Sequence, residues 1–291
     1  MGAYPAPVTI TGRPRRVCVA LELLESRVDV AVRGRGAAHL AASLETAWDR
    51  CLAGGPASPA STRLEAFLDE DQSAVHRARS RGALAASDES EIMHGLASSL
   101  TIAAISARLG ELWMLHACAV ADPATGATVV LVAPSGGGKT TAAAALGRHF
   151  GYVTDETAAI RADGAVVPFP KPLSVVSDGR TTKHQASPTQ LGLLQPPAEP
   201  WLAAIALLDR TGTGAPTVEP VRTVEALPAL AGQTSALHLL DRPLHLVADH
   251  LHRTGGLRRI TYREAEHLVP VISDLVGVSV GSGAAPAKAR R

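Results

Sequence analysis

The segment Ala133-Pro134-Ser135-Gly136-Gly137-Gly138-Lys139-Thr140 has the residue types that hold phosphate oxygens. Three consecutive glycines let the chain turn through conformations closed to residues with a Cβ, so successive main-chain N–H groups can point inward at an anion. Lys139 supplies a cation for terminal phosphates, Thr140 stands where a hydroxyl ligates Mg²⁺, and Ser135 and Thr141 extend the polar rim. The pattern departs from Walker A only at its first position, where Ala133 replaces glycine and a methyl is tolerated if φ is negative. Asp155 and Glu156 follow sixteen and seventeen residues after Lys139. Two carboxylates near a metal-bound nucleotide can divide the work, one on the metal and one as base for an attacking hydroxyl. Lys171, Arg180 and Lys183 are candidates for neutralising charge on a transferred phosphoryl group. Asp209, closing the apolar run WLAAIALLD, is another candidate metal carboxylate. His245, Asp249 and His252 would share one helical face, a zinc-like spacing that a His-rich helical surface explains more simply.

Such residues work only if ordered elements bring them together. From Leu112 the chain reads LWMLHACAVA, the turn DPATG and the apolar strand ATVVLVA, then the glycine loop and the alanine-rich helix TTAAAALGRHF. The strand feeds the loop and the loop opens the helix, whose dipole favours a bound anion. A helix followed by the short return strand GYVT would carry Asp155 and Glu156 back toward the loop. VVPFPKPLSVV and WLAAIALLD read as further strands, roughly 243–254 as a helix, and another helix is expected to begin near Tyr262. Alternating strands and helices imply an α/β fold. Residues 1–111 read as a separate α+β module: two β-prone runs in 17–34, a helix over 37–52, and a helix entered through Asp88 and Glu91. The charged stretch between those helices, near 63–87, is assigned no element, and the tail 281–291 is expected to be disordered.

Composition narrows the classes. A chain of 291 residues with 46% hydrophobic content can bury a core, and its formal net charge of +1 argues against nucleic acid as main partner. Basic clusters such as Arg77, Arg79 and Arg81 are read as solvated surface. Cys18, Cys51 and Cys118 are far apart and form no CxxC pair, so neither a disulfide framework nor a cysteine zinc site is readable. No apolar run approaches the ~18 residues of a membrane span, and the N-terminus lacks the apolar core of a signal peptide, so a cytoplasmic protein is expected.

Taken together, LHACAVA, VVLVAPSGGGKTTAAAAL, GYVTDETAAI and VVPFPKPLSV resemble the catalytic domain of HPr kinase/phosphorylase, a P-loop family related in fold to phosphoenolpyruvate carboxykinase. The likeness covers roughly 112–175 and is closest to the small relatives associated with ribosomally made peptides, including lasso-peptide kinases. It implies a kinase domain over 112–280, ATP and Mg²⁺ as cofactors, and a hydroxyl, that of serine in a peptide or protein, as acceptor. It further implies that Lys139 and Thr140 serve phosphate and metal, that His116 is the family's histidine ahead of the loop strand, that Asp155 is the general base, and that Glu156 helps hold Mg²⁺. The chain departs from the family at Ala133, at Ala117 after the histidine, and in having an Asp-Glu pair in place of two aspartates. The segment linked to phosphorolysis is not recognisable, so the expectation extends neither to pyrophosphate-driven reversal nor to HPr as substrate. A homo-oligomer is compatible with the family. Two other readings stay open: a small-molecule hydroxyl kinase, and a non-catalytic nucleotide-binding partner in a biosynthetic complex.

Overall fold

The computed structural model describes residues 17–55, 62–176 and 183–280. Arg180, the N-terminal arginines and the tail 281–291 lie outside them. The architecture is mixed α/β, with two principal sheets and a small two-stranded one.

The first sheet has the order β1 (Val17–Leu23), β2 (Ser26–Arg33), β3 (Thr62–Leu68), β4 (Leu84–Ala86). β1 and β2 form an antiparallel hairpin, and β3 and β4 add in parallel. Val19, Leu21, Val28, Val30, Val32 and Ala66 are buried in one core with residues of α1 (Ala37–Ala47) and α3 (Glu89–Ala107). The Asp88 carboxylate caps α3 by accepting from Glu91 N–H at 2.9 Å, as its position before the helix predicts. The stretch to which sequence assigns no element folds as β3, α2 (Gln72–Arg79) and β4. Its strand alternates Arg63, Glu65 and Phe67 with Leu64, Ala66 and Leu68, a pattern blurred by the small Ala66. Its helix buries only Val75, so it lacks an apolar stripe.

The larger sheet is built on β5 (Trp113–Ala121) and β6 (Ala127–Val132), an antiparallel pair. β6 leads through the glycine loop into α4 (Lys139–Leu146). Beyond β5 run β7 (Gly151–Thr154), β8 (Thr157–Ile160) and β9 (Val166–Val167). The next strands, β10 (Leu173–Val176) and β11 (Lys183–Ala186), form the two-stranded sheet. On the other flank β12 (Trp201–Asp209) is parallel to β6, and β13 (Thr217–Pro220) lies at the edge. After α5 (Thr223–Ala231) and α6 (Pro243–Arg253), β14 (Leu257–Thr261) enters between β12 and β13, and α7 (Leu268–Val280) closes the described fold. The helix expected from near Tyr262 starts at Leu268, because Tyr262 is held against the end of β12 by its N–H to Asp209 O and a 3₁₀ turn, Ala265–His267, intervenes.

Side-chain alternation buries both faces of this sheet. Cys118, Val120, Val129 and Leu131 pack with α4 and α7 residues such as Leu146 and Ile272, while Leu115, Ala117, Val130 and Val132 pack with Leu230 and Leu251 of α5 and α6. The alanines of α4 allow the helix to lie close on the sheet. No helix among the described residues is long and apolar enough to cross a membrane.

The core of the first sheet continues into the second. Leu112, Met114, Ala159, Val167 and Phe169 belong to the same buried cluster as Trp48 and Leu96. Trp48 and Phe169 meet with ring centroids 6.3 Å apart. Asp49 accepts from Ser187 Oγ at 2.8 Å, and Arg50 reaches Thr189 Oγ1 and the carbonyls of Leu193 and Leu194. A change of sheet falls at the 111/112 boundary, and one buried cluster holds residues from both sides of it.

One buried ionisable group in this fold has a measurable signature. His250, 1% exposed, stacks on Trp113 at 5.3 Å, and its Nε2 has no hydrogen-bond partner among the described residues. Burial pulls its pKa from 6.5 down to about 4, with Arg253 acting in the same sense and Asp249 and Asp163 opposing. The unfolded chain binds a proton near pH 6.5 that the native state refuses until about 4, so this stability is complete above the window and is lost through it as pH falls. The difference corresponds to about 3 kcal/mol. Denaturant unfolding should show a smaller acid loss between pH 7 and pH 4 in His250→Phe than in the parent; equal losses in both would contradict the assignment.

Candidate functional site

The loop between β6 and α4 has the backbone that its glycines predict. Gly136 and Gly138 take φ of +78° and +86°, and Gly138 forms the N-terminal boundary of α4. Ala133 is not among the positive-φ residues, so its methyl is accommodated where the motif usually has glycine. Gly137 turns inward: its N–H donates to Pro134 O at 3.0 Å, and a Cβ there would come within 2.9 Å of the Ala133 methyl. Lys139 is buried, its ammonium donating to the carbonyls of Ala133 at 2.6 Å and Pro134 at 3.0 Å. Burial lowers the Lys139 pKa despite the opposing Cys118, Glu156 and Asp155.

Asp155 and Glu156 occupy a break in what would otherwise be one long strand. β7 pairs with β5 over Ala119–Ala121 and β8 pairs with the same strand over Trp113–His116. Between them Glu156 O accepts from Ala117 N–H at 3.0 Å, and the Thr154 hydroxyl accepts the N–H groups of Glu156 and Thr157, each at 3.3 Å. The break delivers both carboxylates to the loop. Thr140 Oγ1 donates to Asp155 Oδ2 at 2.9 Å, while Asp155 Oδ1 lies 3.2 Å from the Tyr152 hydroxyl and 3.3 Å from Lys171 Nζ. Asp155 is therefore bonded on both oxygens and 4% exposed, whereas the Glu156 side chain is 40% exposed and bonds Lys171 Nζ at 2.8 Å.

Lys171 is the cation that completes this group. Burial alone would lower its pKa, but Asp155 and Glu156 outweigh that and raise it. Burial alone would raise the Glu156 pKa; Lys171, His116 and Lys139 together bring it below the ordinary value. Pro170 and Pro172 flank Lys171 and restrict its backbone, and Lys171 N–H closes a tight turn onto Phe169 O at 2.8 Å. Tyr152 O–H also reaches Lys171 O at 3.0 Å, and burial followed by Asp155 holds that phenol well above its usual pKa.

His116 lies on β5, directly opposite Thr157. Its imidazole is half-buried against the Glu156 main chain, and burial followed by Lys139 lowers its pKa, so the ring is neutral near pH 7. These groups line one cleft of about 660 Å³, with His116, Ser135, Gly136, Gly138, Lys139, Thr140, Thr141, Asp155, Glu156 and Lys171 on its walls. That size suits a nucleotide. Sequence-predicted site residues thus converge, except Gly137, whose N–H is taken by the loop itself. Asp209 does not line the cleft: its carboxylate accepts from Thr211 N–H and Oγ1 at 3.1 and 2.7 Å and caps a turn. Lys183 belongs to β11, across from Val176. His245, Asp249 and His252 lie on α6, and among the described residues no group of three or more His, Cys, Asp or Glu is arranged to hold a metal. Burial raises the thiols of Cys51 and Cys118 to about 12, so neither is a nucleophile at neutral pH.

Sequence reasoning did not single out Tyr152, which bonds Asp155, or Ser174 and Val175, which line the cleft; none of the three has a local signature. Tyr262 and Arg210 crowd Gly138 on the β12–β14 side, where a Cβ would meet the Tyr262 hydroxyl at 3.1 Å and Arg210 Cδ at 3.6 Å. No protein-family model matches the chain, and no curated protein matches it significantly.

The buried cation makes a stability prediction. Lys171→Met leaves Asp155 and Glu156 facing each other without compensation, and should lower the unfolding free energy by about 3 kcal/mol at pH 7. A loss below about 1 kcal/mol in denaturant titration would show that Lys171 does not balance the pair.

Proposed function

We propose that this chain is an ATP- and Mg²⁺-dependent kinase that transfers the γ-phosphoryl group to a hydroxyl of a peptide or protein, on a P-loop core of the HPr kinase type carrying a smaller N-terminal α+β module. The observation that carries the reading is the 2.9 Å bond from Thr140 Oγ1 to Asp155 Oδ2, made inside a cleft that also holds Lys139, Lys171 and Glu156. A glycine turn that only joined a strand to a helix would have no use for two buried lysines and two adjacent carboxylates.

The donor set fits a metal-bound nucleotide. The glycine loop and the N-terminus of α4 offer main-chain N–H groups and a favourable dipole to phosphate oxygens. Lys139, whose ammonium bonds the loop carbonyls of Ala133 and Pro134, adds positive charge there. Thr140 and Asp155 would hold Mg²⁺, which when bound neutralises charge on the β- and γ-phosphates. This division differs from the one the family resemblance implies. Asp155 is the carboxylate that meets the metal-position hydroxyl and has both oxygens engaged, whereas Glu156 is the one open to the cleft.

Glu156 is accordingly the group that accepts the proton of the attacking hydroxyl. Lys171 fixes its position at 2.8 Å and brings positive charge close to where the phosphoryl group transfers. His116, its pKa lowered by burial, lies against the Glu156 main chain and lines the same cleft.

Transfer of labelled phosphate from ATP, paired with calorimetry of Mg-ATP binding, tests the reading. Lys139→Ala should weaken Mg-ATP binding at least tenfold, about 1.4 kcal/mol. Glu156→Gln should bind Mg-ATP normally yet transfer at least about a hundredfold more slowly. Unchanged binding in Lys139→Ala would remove the phosphate-loop assignment, and a near-normal rate in Glu156→Gln would remove the base.

A further inference from the structure

β10 and β11 pair only with each other, from Leu173↔Ala186 to Val176↔Lys183. The opposite edge of β10 therefore carries main-chain N–H and C=O groups with no main-chain partner among the described residues. Successive residues of a strand send their side chains to opposite faces. Ser174 and Val175 nevertheless both line the cleft that holds Lys139, Asp155 and Glu156. A strand places neighbouring residues on one cavity when it meets that cavity edge-on.

What the edge offers is backbone. The Ser174 hydroxyl is already used, accepting from Gln185 Nε2 across the hairpin at 2.7 Å. Thr141 and Ala144 of α4 line the same cleft. The edge also stands at the reactive end, since Lys171, which bridges the two carboxylates, is two residues before Leu173. An acceptor must approach the transferred phosphoryl group from the side of its base. A free strand edge is a template for another extended chain, bound through main-chain hydrogen bonds.

We infer that the acceptor is a peptide segment in extended conformation that adds as a strand to the free edge of β10 and so presents its hydroxyl residue to Glu156. This rests on the kinase reading of the same cleft. In the transfer, the peptide hydroxyl oxygen forms a bond to the γ-phosphorus of ATP and the bond from that phosphorus to the β–γ bridging oxygen breaks. ADP leaves with the electron pair, and the hydroxyl proton passes to the Glu156 carboxylate. Recognition falls on the acceptor's backbone over the roughly four residues that β10 spans, about 13 Å. Free amino acids and other small hydroxyl compounds lack that backbone.

The test uses the full chain, Mg-ATP labelled on its γ-phosphate, and nine-residue peptides each with one central serine, beside free serine and N-acetylserinamide. Peptides should accept phosphate at least about tenfold better than either small compound. In the best peptide, methylating one backbone nitrogen at a time should lower kcat/KM about tenfold at alternate positions and little at those between, because only alternate N–H groups of a strand face its partner. Equal transfer to free serine, or a methylation profile without alternation, would overturn the proposal. So would an absence of transfer to any peptide while calorimetry shows Mg-ATP bound. A chain that fails to bind Mg-ATP would overturn the kinase reading itself, and the strand-addition proposal with it.

Discussion

The site depends on one buried ammonium. Asp155 and Glu156 are adjacent in sequence and point into one cleft, beside a loop shaped for an anion. Uncompensated, they would repel each other and any phosphate brought near them. Lys171, with its side chain 6% exposed, lies 3.3 Å from one carboxylate and 2.8 Å from the other, and so offsets the repulsion between them. The dependence is mutual, since the carboxylates keep Lys171 charged against its own burial. Removing Lys171 takes the shared cation from both carboxylates at once, a larger cost than the group gains as a whole.

That requirement explains the joint between the two sheets. Lys171 is held by a Pro-Lys-Pro segment that follows directly on Phe169, and Phe169 is buried against Trp48 of the N-terminal module. Phe169 N–H is in turn fixed on Val153 O at 3.0 Å, in the strand that ends just before Asp155. The cation and the carboxylates it serves are therefore anchored to the same short piece of backbone. The first sheet is a buttress for the site as well as a surface, because the core behind Phe169 is mostly its own.

The glycine loop was legible because its chemistry is local: glycines, a lysine and a threonine in one run leave few other uses for that segment. The acidic pair was legible through its distance from the loop, which a helix and a short strand span. Which carboxylate meets Thr140 was not. That contact is set by the break between β7 and β8, which turns Asp155 onto Thr140 and leaves Glu156 more exposed, and a break of this kind leaves no mark in residue type. Lys171 could be read only as one of three cations, since nothing local tells a lysine that folds back onto Asp155 from one on the far strand of the hairpin, as Lys183 is. Asp209 was a second candidate at the end of an apolar strand, and its carboxylate bonds Thr211. The elements between 62 and 86 were hidden for a different reason. A strand whose outward residues are charged and a helix that buries one valine carry too little hydrophobic period to be seen.

The central claim is that Thr140 and Asp155 act as one unit in holding a metal-bound nucleotide. A double-mutant cycle with Thr140→Val, Asp155→Asn and the double variant, read by calorimetry of ATP binding with and without Mg²⁺, measures that directly. The account predicts a coupling of about 1–2 kcal/mol with Mg²⁺ present that falls toward zero without it. Additive losses in Mg²⁺, or a coupling indifferent to the metal, would contradict it.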